Sequence, residues 1–102
     1  MAKQNAITID DIKKVLYQHK EELERDYCAI NIGIFGSHAV GSQRINSDID
    51  ILVEFSQPVG FIKFLELEKY LENLLGKRVD LVTKNALKPY MGQRILEEVK
   101  YL

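Results

Sequence analysis

Apolar residues at Ile9, Ile12, Val15, Leu16 and Leu23 recur at helical spacing, behind a Thr8-Ile9-Asp10-Asp11 stretch that can close a capping box. The pattern predicts a helix over 9–25. The period then falls to two. Ile30, Ile32 and Ile34 alternate with Asn31, Gly33 and Phe35, which predicts a strand over 28–35. Gly33 weakens that strand, so its face is expected to need room for a close backbone or ligand. A second alternation sets Ile49, Ile51, Val53 and Phe55 against Asp48, Asp50, Leu52 and Glu54. One face of this strand is core, and the aspartates lie on the other. Ser56-Gln57-Pro58-Val59-Gly60 reads as a turn. Phe61, Phe64, Leu65, Leu71, Leu74 and Leu75 restore the helical period, which Gly76 ends. Residues 77–83 form a short third strand, with Val79 and Leu81 inward and Asp80 outward. From Pro89 or Tyr90 onward, Met91, Ile95, Leu96, Val99 and Leu102 predict a last amphipathic helix running to the end.

These elements describe an α/β (α+β) sandwich, a small mixed sheet of about three strands with helices on one face and a groove on the other. At 102 residues the chain is expected to form one domain, 1–102, large enough for a real core. Apolar residues at 46% and charged residues at 28% are ordinary for a soluble globular protein. Cys28 is the only cysteine, which excludes an intrachain disulfide and points to a reducing compartment. No apolar run reaches the length of a membrane span and no signal-peptide core opens the chain, so the expected location is the cytoplasm, with no membrane partner.

A net charge of −1 argues against direct nucleic-acid binding, which needs a basic footprint. The charge is unevenly spread. Residues 28–76 hold three basic and six acidic side chains, and residues 77–102 hold six basic and three acidic. An acidic middle suits a cation site. Within it, Gly36-Ser37 turns out of the first strand and can open a helix whose free N–H groups receive an anion. Asp48 and Asp50 then point the same way, about 7 Å apart along the second strand. Asp80 joins them if the second and third strands are neighbours. Two carboxylates bind one magnesium weakly, whereas three, together with a nucleotide's phosphates, can hold two ions. The pattern therefore points to Mg²⁺-dependent nucleotidyl transfer. Gly36 and Ser37 would contact phosphate, and Asp48, Asp50 and Asp80 would bind metal and do the catalysis. A calcium-binding EF-hand loop fails for want of its glycine and glutamate, and a Walker loop for want of Gly-Lys-Ser/Thr. His38 is expected to face solvent from a helix, His19 to be exposed, and Cys28 to be packing.

The G-S-x10-D-x-D spacing, followed by Leu75-Gly76-Lys77-Arg78-Val79-Asp80-Leu81-Val82-Thr83, resembles the minimal nucleotidyltransferases of the polymerase-β superfamily. These are the MNT antitoxins that pair with HEPN-domain toxins. The resemblance runs from about Ile30 to the end of the chain. It implies ATP as donor, two Mg²⁺ ions, and a HEPN toxin as partner in a hetero-oligomer. AMP would pass to a tyrosine of the toxin and silence its RNase. The family commonly has arginine where this chain has Val40, which puts nucleotide affinity rather than metal binding in question; Arg44 is the residue that could replace it. So short a chain leaves little room for its own acceptor pocket, so a partner is expected to bring the acceptor hydroxyl. The chain's own Tyr17, Tyr27, Tyr70, Tyr90 and Tyr101 are expected to serve packing or partner contacts. The alternative is a non-catalytic antitoxin that neutralises by binding alone. A third reading, transfer to a small-molecule hydroxyl, lacks a recognisable acceptor pocket.

Overall fold

The structure, a computed structural model, describes residues 7–86 and 89–102. Its first helix, α1 (Ile9–Gln18), opens on the expected capping box. The Thr8 hydroxyl accepts from the Asp11 N–H and the Asp11 carboxylate accepts from the Thr8 N–H, both at 3.2 Å. The continuous helix expected over 9–25 is in fact two helices. His19 breaks it, and α2 (Lys20–Tyr27) follows. The His19 ring Nδ1 lies 2.9 Å from the Val15 carbonyl, and its N–H donates to Leu16, so the side chain closes the first helix's last turn. The imidazole is half-buried rather than exposed and stands edge-on to Tyr70.

Cys28 takes a left-handed conformation, φ 59, and turns the chain from α2 into β1 (Ala29–Phe35). A bulge between Ala29 and Asn31 then shifts the expected alternation. Ala29, Ile32 and Ile34 enter the core, while Ile30 is left 42% exposed. The remaining elements are α3 (Ser37–Val40), β2 (Ile49–Phe55), α4 (Phe61–Leu75), β3 (Val79–Thr83), a 3-10 turn (Lys84–Ala86), α5 (Pro89–Glu98) and β4 (Lys100–Tyr101). Strand order is β3-β2-β1-β4. β2 runs antiparallel to β1 and parallel to β3, and β4 pairs antiparallel with β1. The sheet thus has four strands rather than about three. The final helix stops at Glu98 because the last residues find backbone partners on β1 at Gly33 and Ile34. The expected contribution of Met91 lies outside the described side chains.

The core fills one face of the sheet. Ile34, Ile49 and Ile51 meet Ile12 and Leu16 of α1 and Leu67 and Leu71 of α4, all buried. Here α4 departs from the expected pattern. Leu67 is fully buried, whereas Phe61 is 72% exposed and Leu65 faces solvent.

The other face carries Leu52 and Asp50. β3 lies at one edge of the sheet and β4, which follows α5 in the chain, at the opposite edge, so the chain crosses the sheet between them. It crosses on the Asp50 side. A Cβ on Gly33, which alternates onto that face, would lie 2.4 Å from Val99 Cγ2 and 3.1 Å from the Tyr101 ring. The glycine is therefore needed for close approach, as its place in the strand suggested. No helix among the described residues is long and apolar enough to cross a membrane.

Candidate active site

The site lies where β1 ends and β2 and β3 begin. Asp50 is paired with Phe35 on one side and with Asp80 on the other. Adjacent strands are about 4.8 Å apart, and register partners point to the same face, so both carboxylates share one patch of sheet. A bond from Ile49 N–H to the Arg78 carbonyl, 2.9 Å, carries the ladder to the end of the sheet beside Asp48. The expected neighbourhood of the second and third strands is thus realised.

Asp50 is the half-buried member of the group, and Asp48 and Asp80 are exposed. Burial first, then the charges of Asp80 and Asp48 and a hydrogen bond with Asp80, together raise the Asp50 carboxyl from 3.8 to about 6. Among the described residues, no three His, Cys, Asp or Glu side chains are already drawn up as a metal cage. Asp50 and Asp80 form the close pair, and Asp48 reaches Asp50 only through its charge. The donor set still suits a hard cation: all oxygen, clustered on one face, and under mutual repulsion that a positive ion relieves.

The backbone of the turn reaches the carboxylates directly. Gly36 has φ +72, which disfavours any side chain, and a Cβ built there would lie 2.1 Å from Asp50 Oδ2. Only glycine lets the chain pass this close. It leads into α3, one turn long, which Gly41 ends at φ 81. The loop from α3 to β2 is tied at both sides. Gln43 Nε2 donates to the Ile7 carbonyl at 3.0 Å, and Lys77 Nζ donates to the Ile45 carbonyl at 2.7 Å. Arg44 N–H donates to Ser47 Oγ at 2.9 Å, closing the turn that presents Asp48. Arg44 and Val40 are both exposed, and none of Arg44's hydrogen bonds ties its guanidinium to the carboxylates.

His38 is where the structure overturns expectation. It is 1% exposed, beneath the turn, and neither ring nitrogen has a hydrogen-bond partner among the described residues. Burial, and secondarily the charge of Lys77, lowers its pKa, so the ring is neutral. A polar residue in a one-turn helix carries no periodic signal of burial, and nothing in the sequence marks it. Cys28 is half-buried, with Gln57 Nε2 3.5 Å from its sulfur, in keeping with packing.

A carboxylate pair on adjacent strands beside a glycine turn, with a third acidic residue nearby, is the arrangement expected of a nucleotidyltransferase. The nucleotidyltransferase domain model matches residues 16–102. Among curated proteins the chain is similar to the protein adenylyltransferase MntA of Thermococcus cleftensis. The two are 45% identical over 96 residues, 94% of this chain and 97% of that protein. It therefore belongs to the nucleotidyltransferase family, among the minimal enzymes that are protein adenylyltransferases. Solved structures agree. A candidate minimal nucleotidyltransferase superposes with a TM-score of 0.74 at 31% identity, over 89% of this chain and 95% of that one. A toxin–antitoxin structure with AMP-PNP gives 0.68 at 31% identity, over 82% and 69% of the two chains. The complex of a tri-AMPylated HEPN toxin from Shewanella oneidensis with its MNT antitoxin gives 0.63 at 25% identity, over 88% and 70%.

Proposed function

We propose that this chain is an Mg²⁺-dependent adenylyltransferase antitoxin that moves AMP from ATP onto a tyrosine hydroxyl of a HEPN RNase toxin and so neutralises it. The observation that carries this reading is the register of Asp50 with Asp80 beneath the Gly36 turn. Asp48, Asp50 and Asp80 would hold two Mg²⁺ ions. When bound, such ions screen the phosphate charge and favour ionisation of the acceptor hydroxyl. Gly36 and Ser37 offer backbone N–H groups and a hydroxyl to the terminal phosphates, which orients the α-phosphorus. Asp80, exposed beside Asp50, takes the proton of the attacking hydroxyl. The acceptor oxygen forms a bond to the α-phosphorus, the bond to the β-phosphate oxygen breaks, and pyrophosphate leaves. The relative named protein adenylyltransferase MntA, the toxin–antitoxin structure with AMP-PNP and the complex of an AMPylated HEPN toxin with its MNT antitoxin support the donor and the partner.

The test is transfer of label from α-³²P-ATP to the co-purified partner in Mg²⁺. Label on the partner with the wild-type chain, lost in Asp50→Asn, is expected; an unlabelled partner with wild type overturns catalysis. One observation favours the second reading, neutralisation by binding alone. Val40, 60% exposed, stands where the resembling family commonly has arginine. On that reading the Asp48→Asn/Asp50→Asn double variant neutralises the toxin fully and leaves the partner's mass unchanged.

A further inference from the structure

Two features away from the carboxylates are left unused by nucleotide chemistry. The first is the outer edge of β3. Arg78 gives its carbonyl to β2, and in a parallel ladder alternate residues point their N–H and C=O groups to opposite sides. Val79, Leu81 and Thr83 therefore point away from β2. The Glu72 carboxylate accepts from the Val79 N–H at 3.1 Å. Among the described residues, no side-chain or loop group accepts from the Leu81 or Thr83 N–H. The strand that carries Asp80 is thus an edge with outward main-chain groups, capped among the described residues only at its first residue.

The second feature is a cavity of about 530 Å³ at the far end of the same strand. Thr83 and Lys84 border it, with Phe55, Phe61 and Phe64 as its apolar wall. Alternation links the two features. Asp80 and Val82 face the carboxylate groove, and Leu81 and Thr83 face the α4 side, where the cavity opens.

We infer that the acceptor protein presents its hydroxyl on an extended segment that adds to β3 as a fifth strand and anchors an apolar side chain in the cavity. This rests on the protein-acceptor reading above. The occupant is specified chemically: donors and acceptors repeating along a strand edge are matched by another polypeptide backbone, not by a small molecule. A residue placed opposite Asp80 lies on the groove face, about 5 Å from it. A residue three positions along lies opposite Thr83 on the other face, over the Phe61 and Phe64 wall. The acceptor segment therefore carries its hydroxyl residue and an apolar residue three apart.

Thr83→Pro tests this, because proline deletes the outward N–H and leaves the β2 ladder intact. Thr83→Val, which keeps the N–H, is the control. With the co-purified partner, Thr83→Pro and Phe61→Asp are each expected to slow AMP transfer by about tenfold, the scale of one lost main-chain bond or anchor. AMP-PNP affinity in Mg²⁺ stays at the wild-type value. Hydrogen exchange at the Leu81 and Thr83 amides slows when the partner binds, while Asp80 and Val82, already paired to β2, change little. Wild-type transfer by Thr83→Pro, or unchanged exchange at Leu81 and Thr83 in the complex, overturns the proposal. Protection of those amides in the chain alone, rising with its concentration, assigns the edge to a second copy and also overturns it. If wild type labels no partner, catalysis fails, and the exchange measurement on the complex still decides strand addition.

Discussion

Asp50→Asn should abolish transfer and, in the absence of metal, make the protein more stable. The carboxyl is held at about 6 instead of 3.8 by burial and by Asp80 and Asp48. At full weight that difference is worth about 3 kcal/mol. Asp50 is only half-buried, so solvent screening reduces it to about 1–2 kcal/mol. The sign follows from proton linkage. The folded state holds the proton more tightly than the unfolded chain, so folding is not penalised below the unfolded value of 3.8. The penalty grows as pH rises toward 6 and is complete above it. Asparagine removes the charge, keeps the shape and can still donate to Asp80. Thermal unfolding in EDTA at pH 7.5 should therefore show Asp50→Asn melting about 5–10 °C above wild type, with the gain vanishing near pH 4. Added Mg²⁺ should raise the wild-type melting point and leave the variant unmoved, because only a state that binds the ion is stabilised by it. A variant no more stable than wild type at pH 7.5 in EDTA, or a gain undiminished at pH 4, refutes the reasoning.

Other substitutions probe the surrounding scaffold. Gly36→Ala drives a methyl group into Asp50 Oδ2 and strains a φ of +72, so pyrophosphate release should fall below detection and stability by about 1–3 kcal/mol in urea titration. His38→Leu removes two buried nitrogens that have no partner and should stabilise by about 1–3 kcal/mol. Because the His38 pKa is lowered, its neutral folded form loses stability as pH falls below 6.5; the leucine variant should lack that acid-side loss in melting curves from pH 7.5 to 5. Thr8→Ala breaks the capping box and should cost about 1 kcal/mol, a drop of about 4–8 °C, without altering transfer to the partner.

Much of the site was legible before any coordinates. Side-chain alternation in a strand is local geometry, so Ile49, Ile51 and Val53 pointing inward placed Asp48 and Asp50 outward together, and the same logic oriented Asp80 against Val79 and Leu81. The glycine stop at Gly76, the box at Thr8 and the close approach at Gly33 were likewise readable, because each is a requirement of a few neighbouring residues. The break at His19 was not, since a side chain replacing one backbone bond leaves the helical period almost unchanged. The bulge after Ala29, which exposes Ile30, escaped for a related reason: one inserted residue shifts the faces of a strand whose alternation looks uninterrupted.

What periodicity could not supply was adjacency. That β2 and β3 run side by side in parallel, with Asp50 opposite Asp80, depends on how α4 returns the chain across the sheet. Two residues at the end become β4 only because β1 has a free edge to receive them. His38 is buried in a one-turn helix that shows no sign of it in the sequence, and Asp50 holds its proton to about 6 only because packing buries it and brings Asp80 and Asp48 near. Local pattern assigns each side chain a direction, while the field at a carboxyl group comes from residues distant in the chain that packing alone brings near.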